Sequence, residues 1–159
     1  MYDVTFYFAH HYLEKSDRTI DQMVQAARSG KQNIAEGAAA GNTSKETEIK
    51  LTNVAKASLQ ELLVDYEDFL RVRGLEQWQP DDARLAQTKR ACAAHNDSEY
   101  YRKAMPERYA ETIANIAITL IHQTDWLLNK LIEKQEIQFV ENGGVKEQMT
   151  KARKEYRGY

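Results

Sequence analysis

Apolar residues return at three- and four-residue steps along most of this chain, the spacing of one face of an α-helix. Ile20, Met23, Val24, Ala27 and Ile34 share such a face from Thr19 to Gly37 or Gly41, and Gly41-Asn42 makes a turn. Thr19 with Gln22, and Thr43 with Glu46, have capping-box spacing, in which a first-turn side chain and backbone amides satisfy one another. A second stripe, running from Ile49 and Val54 through Leu59, Leu62 and Tyr66 to Leu70, predicts a long helix ending near Gly74. The two helices form an antiparallel hairpin.

Pro80-Asp81-Asp82 places a helix-compatible proline and two acids where a third helix begins, and that helix runs to about His95. Asn96-Asp97-Ser98 breaks it, with Ser98 capping a short segment from Glu99 to Ala104. Pro106 fits the first turn of a last helix, whose stripe runs from Tyr109 through Ile113, Ile116, Leu120 and Leu128 toward Val140 before Gly143-Gly144 stops it. Four amphipathic helices with short connections predict an all-α, antiparallel up-down four-helix bundle over residues 1–144, with 145–159 as a basic C-terminal tail. The aromatic front segment, with Tyr2, Phe6, Tyr7, Phe8 and Tyr12, lies across the bundle as a short helix or strand. The last stripe is wide: Ile118 and Ile121 point away from Ile113, Ile116 and Leu120, so a single copy is expected to leave apolar surface for self-association.

Composition narrows the alternatives. Gly 7 and Pro 2 are scarce for the turns of a sandwich or barrel. The longest apolar run, Ile116 to Ile121, is too short to span a bilayer, so a soluble protein is expected and no membrane partner. One cysteine, Cys92, excludes an internal disulfide and a multi-thiolate zinc site; the segment MYDVTFYFAHHYLEK lacks a basic leader and a small-residue cleavage site, so a cytoplasmic location is expected. The net charge of -2 neither demands nor excludes an anionic partner, but it is unevenly spread. The stretch from Arg28 to Lys56 is positive through Arg28, Lys31, Lys45, Lys50 and Lys56. The stretch from Glu61 to Asp82 is strongly acidic, and the tail is basic through Lys146, Lys151, Arg153, Lys154 and Arg157, interleaved with Tyr156 and Tyr159.

Catalytic patterns are sparse. No Glu-x-x-His pair, His-Glu-x-x-His helix, Gly-x-Ser-x-Gly elbow or phosphate-cradling glycine loop is present. His10-His11 with Glu14, and His122 with Asp125, are the nearest approach to metal ligands. Adjacent helical side chains diverge, and neither group is expected to hold a metal. Cys92 and His95 have the spacing of a thiol and imidazole on one helix face, but the run Ala91-Cys92-Ala93-Ala94 reads as packing. No catalytic residue, metal or cofactor is assigned.

The segment from Ala26 to Gly41 mixes small and polar residues inside a helix. Gly30 is tolerated there where a neighbouring backbone comes close. Ser29, Asn33 and Glu36 form a polar strip one turn apart, flanked by Arg28 and Lys31. At Asn33-Ile34-Ala35-Glu36-Gly37, preceded by Ala27-Arg28-Ser29, the chain resembles the four-helix-bundle proteins named for an open frame within intervening sequences of bacterial 23S ribosomal RNA genes. Residues 51–63, with Ser58-Leu59 and Glu61-Leu62, are similar to the next helix of that family, and Ala57 stands where glycine is common. The match covers roughly residues 19–74; the front and acidic segments look like those of a variant subgroup.

This resemblance implies a non-enzymatic bundle that closes into a ring, typically a homopentamer, with a poorly defined physiological role. A relative of similar fold, the accessory protein of diversity-generating retroelements, binds nucleic acid alongside a reverse transcriptase and has a strongly basic surface, unlike this chain. Two functions follow as expectations. One is a homo-oligomeric scaffold engaging RNA or DNA through Arg28, Lys31, Lys45, Lys50, Lys151, Arg153, Lys154 and Arg157. The other is an adaptor whose acidic stretch meets a basic protein client.

Overall fold

The computed structural model describes residues 1–158 and is built of helices, with no strand among the described residues. Tyr159, counted above with the basic tail, lies outside them. The helices are α1 (Tyr2–Tyr12), α2 (Thr19–Ala40), α3 (Lys45–Val72), α4 (Ala83–Ala94), α5 (Ser98–Ala104), α6 (Ala110–Asn142) and α7 (Val145–Arg157). A single 3-10 turn, Met105–Glu107, precedes α6.

The central helix is α3, with α2 on one side and α6 on the other. Its direction opposes both. Along α2, Gly41 faces Glu48, Gly37 faces Leu51, and Gly30 faces Leu59, so positions climb on one helix as they descend on the other. Along α6, Gln135 meets Thr52, Asn129 meets Lys56, and Asp125 meets Gln60. The close approach expected at Gly30 is present. A Cβ there would sit 3.0 Å from Leu59 Cδ2, and one at Gly37 would sit 3.3 Å from Leu51 Cβ.

The front segment is a helix and belongs to the core. Its residues Val4, Thr5, Phe8 and Ala9 are buried, two adjacent positions repeated after one turn. Phe8 packs edge-on to Phe69 and tilted against Tyr66, while Tyr66 Oη donates a 3.0 Å hydrogen bond to Thr5 Oγ1. In this way α1 fills the seam between α2 and α6 that faces α3. It is short, about 16 Å against about 50 Å for α6, so it reaches only part of that seam.

The third predicted helix takes a different place. α4 packs on α6 and runs in the same direction, since Arg84 lies by Glu111 and the Lys89 carbonyl accepts from Gln123. The alternation expected from four successive long helices does not hold for this pair. The 98–107 segment carries the chain back to the end where α4 began, so α6 sets out alongside it. With α4 and α1 both against it, the first half of α6 is covered by its own chain. Ile113 and Ile121 are fully buried and Ile118 nearly so, which overturns the expectation that Ile118 and Ile121 are left over.

Several boundaries differ from the sequence reading for local reasons. Thr19 is the first residue of α2 and caps nothing; Asp17 Oδ1 accepts from its amide at 2.8 Å. Ser44, not Thr43, caps α3 by accepting from Thr47 N, and Asp82 and Asp97 cap α4 and α5. Pro80 lies in the turn before α4, and Pro106 in the 3-10 turn rather than the first turn of α6. Within the basic tail, residues 145–157 are a helix, joined to α6 through Gly143 at φ 69°.

Candidate functional site

The residues singled out for nucleic-acid binding are dispersed. Arg28 and Lys31 lie on the exposed side of α2; Arg28 donates to Gln32 Oε1 at 2.8 Å, and the Lys31 ammonium stands 5.2 Å from the centre of the Tyr2 ring. Lys45, in the first turn of α3, forms a 2.9 Å ion pair with Glu48, and Lys50 is exposed one turn later. Lys151, Arg153, Lys154 and Arg157 are all exposed on α7, and none is in an ion pair among the described residues. The α7 group is therefore the densest set of uncommitted cations.

The polar strip of the motif is two-thirds assembled. Ser29 Oγ and Ser58 Oγ are 2.9 Å apart, and Asn33 Nδ2 donates to both the carbonyl and the hydroxyl of Ser29. This ties α2 to α3 beside the Gly30 contact. Glu36 is exposed and makes no hydrogen bond among the described residues, so it stands apart from the strip, whereas Gly37 is buried against α3.

The histidine and cysteine candidates are occupied elsewhere. His10 Nδ1 and His11 Nδ1 each lie 2.8 Å from a carbonyl of their own helix, and their rings lie against Phe6 and Tyr7. Asp125 accepts from Gln60 and Asn129 and not from His122. Cys92 is buried, which pushes its thiol above its ordinary pKa, while the His95 ring stacks 3.7 Å from Tyr100. No hydrogen bond joins Cys92 to His95, and no group of three or more metal-type side chains converges among the described residues.

Sequence reasoning missed three polar arrangements. Asn115, inside the apolar run of α6, accepts from Trp78 N and donates to the Glu76 and Glu111 carbonyls, pinning the 76–78 loop to the helix. Arg84 pairs with Asp82 and Glu76 at 2.6 Å and lies 5.2 Å from the centre of the Trp78 ring. Between α3 and α6, Lys56 donates to Asn129, Asn129 to Asp125, and Gln60 to Asp125. Only Asn115 left a signal, as a lone amide between Ala114 and Ile116. A cleft of about 820 Å³ opens between α4 and α6, lined by Trp78, Leu85, Cys92, Ile118, His122 and Trp126 among others.

The exposed apolar surface lies further along. Trp126 is 61% exposed and Leu127 59%, at the edge of the cleft that α4 makes with α6, and Ile137 is 58% and Val140 82% exposed, beyond the end of α4. No helix among the described residues is long and apolar enough to cross a membrane. Compared with family models, curated proteins and solved structures, the chain matches none of them.

Proposed function

We propose that this protein is a non-enzymatic, homo-oligomeric scaffold that binds RNA or DNA through local cationic surfaces. Its core is read as an antiparallel four-helix bundle in which α1, rather than α4, is the fourth member beside α2, α3 and α6. The observation that carries the reading is the set of large apolar side chains, Trp126, Leu127, Leu131, Ile137 and Val140, left exposed in the second half of α6 while its other face packs on α3. The resemblance at Asn33 to Gly37 supports a ring, with five copies as the expected number. The uncommitted cations of α7, with Arg28, Lys31 and Lys50, are of the kind that neutralise backbone phosphates.

Light scattering on the purified chain tests the assembly, with a mass of about five times 18.4 kDa expected and a monomer fatal to the reading. Binding to single- and double-stranded oligonucleotides tests the second half. Affinity is expected to fall steeply with added salt and to weaken in Arg28→Ala with Lys31→Ala and in Lys151→Ala with Lys154→Ala. An assembled protein with no salt-sensitive binding leaves a scaffold for a protein client.

A further inference from the structure

Two helical faces in this chain have no partner. On α7 no residue is buried, yet Val145, Met149, Ala152 and Tyr156 fall within one narrow arc of the helix, at steps of four, three and four. On α6, Trp126, Ile137 and Val140 fall on one ridge, all exposed. The faces also match in length, about 20 Å for α7 and about 21 Å for residues 126–140.

The charges beside each ridge decide how the faces meet. At about 100° per residue, Lys134 and, closer in, Lys130 lie on one side of the α6 ridge and Glu136 on the other, while Glu133 lies on the ridge itself, paired with Lys130 at 2.8 Å. On α7, Lys146, Arg153 and Arg157 occupy the flank equivalent to that of the α6 lysines, and Glu155 with Gln148 the opposite one. Antiparallel helices bring equivalent flanks together, as in the pairing of like positions across an antiparallel coiled coil, while parallel helices bring opposite flanks together. Antiparallel contact would set Arg153 and Lys146 against Lys134 and Lys130. Parallel contact sets Arg153 against Glu136, and Glu155 against Lys134.

We propose that α7 docks parallel on the exposed α6 ridge of a second copy of this chain. Folding back on its own α6 would be antiparallel, the charge-mismatched orientation, and the two-residue link Gly143-Gly144 is far too short to return α7 for a parallel contact. Glu147 also holds the joint, its Oε2 accepting from Gly144 N at 2.6 Å. In the register that puts Tyr156 over Ile137 and Val145 over Trp126, Met149 and Ala152 lie over the Lys130–Glu133 pair. This rests on the self-assembly proposed above and names the surfaces that make it.

The test uses full-length chains in which Cys92→Ala removes the native thiol. With Ile137→Cys and Tyr156→Cys, mild oxidation is expected to link copies through a bond between the two positions, identified by peptide mass in a mixture of isotopically light and heavy protein. A second pair, Ile137→Cys with Met149→Cys, reports the fold-back, and an efficient link within one chain would overturn the proposal. Separately, Met149→Asp with Tyr156→Asp, both at exposed positions, is expected to lower the mass seen by light scattering while circular dichroism stays helical. If the unmodified chain is itself a monomer, assembly and docking fall together. If it is an oligomer whose mass survives the two aspartates and whose 137–156 pair stays unlinked, docking alone falls.

Discussion

Removing the Asn115 amide is expected to loosen the connection between α3 and α4 by a calculable amount. Asn115 is 3% exposed, and its Oδ1 is the acceptor for the Trp78 amide at 2.9 Å. In Asn115→Ala that amide, of the buried Trp78, is left unpaired at a cost of about 1–3 kcal/mol. The Glu111 carbonyl keeps its helical partner, and the Glu76 carbonyl, on an exposed residue, turns to water. Alanine returns up to about 0.7 kcal/mol of helix propensity. The net loss is then about 0.3–2.3 kcal/mol, or a urea midpoint lower by about 0.2–1.1 M at an ordinary denaturant slope of about 2 kcal/mol/M. Urea titration followed by circular dichroism measures the whole, and hydrogen exchange at the Trp78 amide measures the local part. An unchanged midpoint with unchanged exchange at Trp78 would mean that Asn115 does not pin the loop.

Two further outcomes follow from the packing and charge of the bundle. Phe8→Ala empties a fully buried site against Tyr66 and Phe69 and should cost about 3–5 kcal/mol in denaturant titration; a loss under about 1 kcal/mol would place α1 outside the core. Asp65, raised above its ordinary pKa by burial and then by the Asp68 and Glu61 charges, is more easily ionised in the unfolded chain. Its charge therefore costs stability as pH rises above about 3.9, and Asp65→Asn should raise the melting temperature at neutral pH but not at pH 3, with a lower melting temperature at pH 7 contradicting this.

The helical periodicity was enough to place α2, α3 and α6, because each has a stripe long enough to declare its period, while α4 was marked by Pro80-Asp81-Asp82 at its start and Asn96-Asp97-Ser98 after it. It failed where periodicity competes with aromatic content. Tyr2 to Tyr12 reads as either strand or helix, and only the seam left open by α2, α3 and α6 decides that Phe8 faces inward on a helix. Capping went astray by a residue or two because Ser, Thr and Asp crowd each helix start, and spacing cannot rank neighbours. The direction of α4 depends on the 98–107 segment doubling back, which no stripe encodes. Of the candidate site, the Ser29–Asn33 strip and the Gly30 contact were legible, since a mid-helix glycine and polar residues at one-turn spacing leave few explanations. The Lys56–Asn129–Asp125 chain was hidden, because its members are ordinary surface residues until two distant helices align.

The positive φ of Gly143 breaks the helix there, and beyond it α7 buries none of its residues in its own chain. A 13-residue helix by itself is only marginally populated in water. Dilution should therefore unravel this last segment before anything else melts, so that ellipticity per residue declines with protein concentration and the arm takes shape only in company.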